Sequence, residues 1–183
     1  MSANLPPTMQ PSSTVTNPNT LVQDSIYAML FLHGFGDVPG MYHWAIYHHK
    51  NEKEGGFKYH IRNLGMGWIT DHGKVHGALR QMYLVGMVRI GSTKKSSEQS
   101  ETDDSTIGKI ITEKDSFINE PGVTCKTWAL SALHRLASSG YIFSEDIAAL
   151  DKEIVAFGDK YQRDAVDGIQ PRPVQASSIC HAQ

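Results

Sequence analysis

The apolar residues of this chain change period partway along it. Between 26 and 90 they fall in short runs or in alternation: IYAMLFL (26–32), YHWAIY (42–47), FKYHIR (57–62) and YLVGMVRI (83–90). From 125 onward they recur every three or four positions, first as Trp128, Ala129, Ala132, Leu133 and Leu136, then as Ile147, Leu150, Ile154 and Phe157. Alternation places side chains on one face of a strand, and a spacing of three or four places them on one face of a helix. The chain is therefore expected to be α+β, an antiparallel sheet packed against helices. The Gly-containing NEKEGG between the second and third runs reads as a hairpin turn, and IGKII (107–111) is expected to add a fifth strand. Thr124 is placed to cap a helix starting at Cys125, with Gly140 just past its end. A second helix is expected after Ser144.

Three stretches have too little to bury to repay the entropy of ordering. Residues 1–25 are expected to be a disordered N-terminal arm, 92–106 (STKKSSEQSETDDST) a flexible polar insertion and 166–183 a flexible tail. That leaves 26–165 as a single domain. With Lys+Arg at 17 and Asp+Glu at 19, the net charge of -2 provides no field to steer nucleic acid, so no nucleic-acid partner is expected. Two cysteines cannot build a disulfide scaffold, which suits a reduced cytoplasmic setting. No signal-peptide pattern opens the sequence. The longest apolar run is far shorter than the ~20 residues of a membrane span.

Seven of the nine histidines lie between 33 and 76. His72 and His76 are four apart, but Gly73 and Gly77 argue against a helix there and no third ligand is evident. No metal or other cofactor is expected. His48 and His49 head a polar turn and are expected in solvent. His43 and His60 differ, because each interrupts an aromatic strand. If 43 lies opposite 60 in the hairpin, the imidazoles stand side by side; the alternative is two histidines facing water. Cys125 opens a helix, where unpaired N–H groups and the macrodipole favour a thiolate. A nucleophilic cysteine needs a base, and the base needs a group to orient it. The alternative for Cys125 is a small buried hydrophobe.

Tyr42 to Ala45 (YHWA), Lys58 to Asn63 (KYHIRN), Trp68, Val88 to Ile90, Ile107 to Ile110, and Cys125 to Trp128 (C-x-x-W) stand in an order that resembles the circularly permuted papain-like fold. That fold includes the lecithin:retinol acyltransferases and the bacterial cell-wall amidases. More narrowly, the layout is similar to an uncharacterised fungal family with the same order of motifs. The resemblance spans about 26–145. It implies Cys125 as nucleophile, His43 as base and His60 as the residue orienting that base. Many relatives carry Asn before the cysteine, where this chain has Thr124. Neither the C-terminal anchor of the acyltransferase branch nor a cell-wall targeting module is visible, so bilayer phospholipid and peptidoglycan are not the expected substrates.

The leading expectation is a cysteine-dependent hydrolase or acyltransferase acting on an acyl, amide or thioester bond of a small-molecule or acyl/peptidyl substrate. The second is a cyclase or isomerase of fungal secondary metabolism. It would use His or Tyr acid–base chemistry in a substrate pocket walled by Tyr42, Trp44, Tyr47, Tyr59 and Trp68. The third is a non-catalytic binding module on the same shell.

Overall fold

A computed structural model describes residues 20–34, 38–93, 104–142, 144 and 146–180. The strands are β1 (Ser25–Leu32), β2 (Tyr42–Asn51), β3 (Gly55–Tyr59), β4 (Ile61–Asn63), β5 (Trp68–Thr70), β6 (Gly73–Val75), β7 (Leu84–Ser92) and β8 (Val174–Ala176). The helices are α1 (Asp104–Thr112), α2 (Cys125–Ser138) and α3 (Ile147–Val166). Six strands form one sheet in the order β6-β3-β2-β1-β7-β8, and β4 pairs with β5 in a separate ribbon. All pairings are antiparallel except β7 with β8. The class is thus mixed α+β with a mostly antiparallel sheet. Among the described residues no helix is long and apolar enough to cross a membrane.

Alternation along β1 and β2 gives each strand two apolar faces. Ile26, Ala28, Leu30, Tyr42, Trp44 and Ile46 face the helices and share a core with α2 and α3. Tyr27, Met29, Phe31, Ala45 and Tyr47 point the other way into a smaller cluster closed by Ala78, Leu84 and Met87. The helix α2 begins at Cys125, as its cap and spacing predict. Thr124 Oγ1 accepts from the Thr127 amide at 3.1 Å, and Thr127 Oγ1 accepts from the Thr124 amide at 2.8 Å. At its far end Gly140 takes a positive φ of 79°. Its neighbour's amide, Tyr141 N–H, returns to Leu136 O at 2.9 Å. The helix α3 is capped by Asp146, whose Oδ1 accepts from the Ala149 amide at 2.8 Å.

Several expectations are corrected. IGKII is helical, not a strand: Ile107 and Ile111, one turn apart, are both fully buried against α2. Arg135 of α2 donates to Ile110 O at 2.8 Å and Ile111 O at 2.7 Å, which satisfies carbonyls the end of α1 leaves open. His48 and His49 are buried, because β2 continues past them to Asn51. The stretch expected as a loose tail contains β8, and beyond it Glu153 of α3 accepts from Ser177 and Ser178. Residues 1–19 of the expected arm and 94–103 of the expected insertion lie outside the described residues.

Candidate active site

The arrangement around Cys125 begins with a strand that stops early. The last β2–β3 pair is Ile46 with Tyr59, after which the chain turns away at His60 and β4 pairs with β5. The first residues of β2 are therefore hydrogen-bonded to β1 alone. Their outer edge is met by the start of α2. Cys125 Sγ lies 3.9 Å from the Tyr42 carbonyl, and the Trp44 amide supports it from the same edge. These are the two backbone groups that flank His43. Burial pushes the thiol pKa up; the N–H groups of Trp44, Lys126 and Cys125 itself pull the other way, but less strongly. At neutral pH the resting group is a thiol, not a thiolate.

His43 and His60 meet. Nε2 of His43 is 2.7 Å from Nδ1 of His60, and the rings lie edge to face with centroids 5.1 Å apart. They are not directly opposite, however. The register of Ile46 with Tyr59 puts Ala45 across from position 60, so the contact is a diagonal one, within reach because both side chains leave the same face. Burial holds both imidazoles neutral. It lowers His43 to about 4, with Lys58, His33 and Arg62 adding repulsion, and it pushes the pKa of His60 down as well, with Lys58 next in importance.

Asp71 is the charged group that biases the tautomers of the pair. Its Oδ2 accepts from Arg62 Nε at 2.7 Å and lies 3.1 Å from His60 Nε2. The latter contact is close enough for the carboxylate to attract a ring N–H but lacks the alignment of a hydrogen bond. A carboxylate there favours a proton on Nε2 of His60. Nδ1 of His60 is then bare and accepts from His43 Nε2–H, so the free lone pair of His43 is on Nδ1. The His43 side chain leaves the strand with Ala45 and Tyr47, on the face that packs against Phe31, whereas Cys125 lies in the helix-facing core and meets β2 through the backbone on either side of His43. No hydrogen bond joins Sγ to either imidazole among the described residues.

A second chain of contacts fixes the pair relative to α2. His72 Nδ1 accepts from the His60 amide at 3.2 Å, and its Nε2 is 2.8 Å from Asp115 Oδ2. Asp115 Oδ1 accepts from Trp128 Nε1 at 3.0 Å, and the His72 ring stacks on Trp128 with centroids 5.8 Å apart. The helix that carries the cysteine is thereby tied to the backbone of the second histidine. Asp71 and Asp115 are not singled out by the sequence, and His72 is weighed there only as a metal ligand. Their signal, an Asp-His pair in a glycine-rich segment, has no periodicity to place it.

The five aromatic residues expected to wall a pocket do not gather in one. Tyr42, Trp44 and Tyr59 belong to the helix-facing core, with Trp68 packed half-buried against it, while Tyr47 is buried on the opposite face. Tyr42 Oη donates to Asp159 Oδ1 at 2.6 Å. Burial, with Asp159 next, raises its pKa, and burial pushes Tyr47 up to about 12. Both phenols are therefore held as neutral donors. Tyr59 does line a cavity of about 590 Å³ with His72, Phe57 and Gly108, on the helix side of β3. Searched against family models, curated proteins and solved structures, the chain matches none.

Proposed function

We propose that this protein is a thiol enzyme of permuted papain-like architecture that cleaves or transfers an acyl group, with Cys125 as nucleophile, His43 as base and His60 as the residue that orients it. The reading rests chiefly on the 2.7 Å contact between His43 Nε2 and His60 Nδ1, and on Cys125 Sγ reaching the carbonyl of Tyr42, the residue before His43. Because the thiol is raised and the imidazole lowered, proton transfer from Sγ to Nδ1 accompanies attack rather than preceding it. Sulfur forms a bond to the carbonyl carbon, and the N–H groups at the start of α2 are the nearby donors for the oxygen that becomes negative. His43 then returns the proton to the departing alcohol, amine or thiol. Water, or an acceptor nucleophile, gives its proton to His43 as it attacks the thioester, and His43 returns that proton to the departing Sγ, which restores the resting thiol.

One observation favours a second reading. The thiol hydrogen bonds to the Tyr42 carbonyl rather than to an imidazole, and burial keeps it protonated. Two neutral histidines could act on their own as acid and base in a cyclisation or isomerisation. The variants separate the two. On the thiol reading, Cys125→Ala and His43→Ala both lose turnover of a thioester or ester panel, and iodoacetamide labels Cys125 as activity falls. A Cys125→Ala protein with full activity beside an inactive His43→Ala protein overturns it and favours the acid–base reading.

A further inference from the structure

On the face of the sheet that carries His43 and His60, Lys58 of β3 stands with Tyr47 of β2 across from it. The side chain is half-buried, which already disfavours a bare ammonium. Among the described residues its nitrogen has one hydrogen-bond acceptor, the neutral Oε1 of Gln81 at 3.2 Å. It also lies 5.4 Å from the centroid of the Phe31 ring. That ring in turn packs 6.0 Å from the ring of His43. Among the described residues no carboxylate pairs with it: Asp71, the acid that most favours its charge, gives Oδ2 to Arg62 and sits against His60.

The Gln81 amide repeats the imbalance. Its oxygen serves Lys58, while its Nε2 is buried without any acceptor. Lys58 and Gln81 thus form a pair with more N–H donors than acceptors, within one aromatic ring of the proposed base. Leaving a buried donor such as Gln81 Nε2 unmatched costs free energy, which an arriving acceptor recovers.

We propose that Lys58, with Gln81 behind it, is the recognition site for an anionic group, and that the substrate of the Cys125–His43 centre is an acyl compound bearing a carboxylate or similar negative group near its reacting carbonyl. The inference rests on the thiol-enzyme reading for what is cleaved, but not for what is bound. The groups facing His43 are Lys58, Arg62, His33, His60 and Asp71, and the cations among them oppose its protonation. A substrate anion at Lys58 offsets that repulsion when His43 takes the proton, so binding and base strength improve together.

The test compares glutaramate, which carries one amide carbonyl and one carboxylate, with the neutral diamide glutaramide. Calorimetric titration is run on the wild-type protein and repeated on Cys125→Ala, where no thiol chemistry is possible. We expect glutaramate to bind at least about tenfold more tightly than glutaramide. Lys58→Met abolishes the preference, and Lys58→Arg, which keeps the charge, retains most of it. Equal affinity for the two compounds, absence of glutaramate binding, or a preference that survives Lys58→Met overturns the proposal. Activity of Cys125→Ala decides the thiol reading separately.

Discussion

Acid stability offers a direct probe of the paired histidines. A histidine held at about 4 in the folded chain, against 6.5 when free, stays neutral while its unfolded counterpart takes up a proton. Between those two values the unfolded state binds more protons, so stability falls as pH falls. The stabilising difference is fully present above 6.5 and is lost as pH drops towards 4. From pH 7 to pH 5, His43 alone accounts for about 2 kcal/mol of lost stability. His60, lowered in the same direction, adds to it. His43→Gln keeps a side-chain N–H able to donate to His60 Nδ1 but cannot titrate. Urea unfolding of both proteins at the two pH values reads the contribution of His43 together with the part of the His60 shift that His43 causes. The variant is expected to lose about 2 kcal/mol less than the wild type across this interval. Equal losses would show that His43 is not held neutral, and would remove the electrostatic basis for treating it as a base.

Further perturbations test the scaffold. His43→Ala is expected to lower turnover by ~10²–10⁴, the usual contribution of a positioned base, in steady-state assays of any substrate the wild type accepts. Asp71→Asn removes the charge that fixes the tautomer of His60; turnover drops while thermal unfolding stays near the wild-type midpoint, and unchanged turnover would count against the relay. Thr124→Ala removes the cap of α2 and should cost about 1 kcal/mol in denaturant unfolding. Gly158→Ala places a Cβ 2.6 Å from Tyr42 Cε2 and 2.8 Å from Leu30 Cδ1, so the better helix former should nevertheless destabilise, by about 1–3 kcal/mol in the same assay.

How much of this was legible in the sequence depended on whether a segment carries its own pattern. The helix α2 did, because Thr124, the spacing from Trp128 to Leu136 and Gly140 agree with one another. IGKII did not: five mostly apolar residues have no measurable period, and only burial of Ile107 and Ile111 on one side of α1 reveals the helix. The meeting of His43 with His60 is one of the two arrangements that side-chain direction allows, although the register differs from the one that would set them directly opposite. Strand direction is encoded in alternation, whereas register depends on where the turn closes. The segment 63–82 hid Asp71 and His72 because β5 and β6 are three residues each and are defined by their partners. Burial of His48 and His49 escaped for a related reason, since polar letters at a strand's end resemble a turn.

The shortness of β3 has a further meaning. Four more residues of pairing past Tyr59, to position 63, would engage the Trp44 amide and Tyr42 carbonyl in an ordinary ladder, and α2 would lose its berth against the sheet. The resulting sheet would be more regular, and the sulfur would lose the backbone groups that flank His43. Chemistry of the kind proposed thus depends on a vacancy in the hydrogen-bonding pattern, and a small extension of one strand is the simplest way to silence it while keeping the fold.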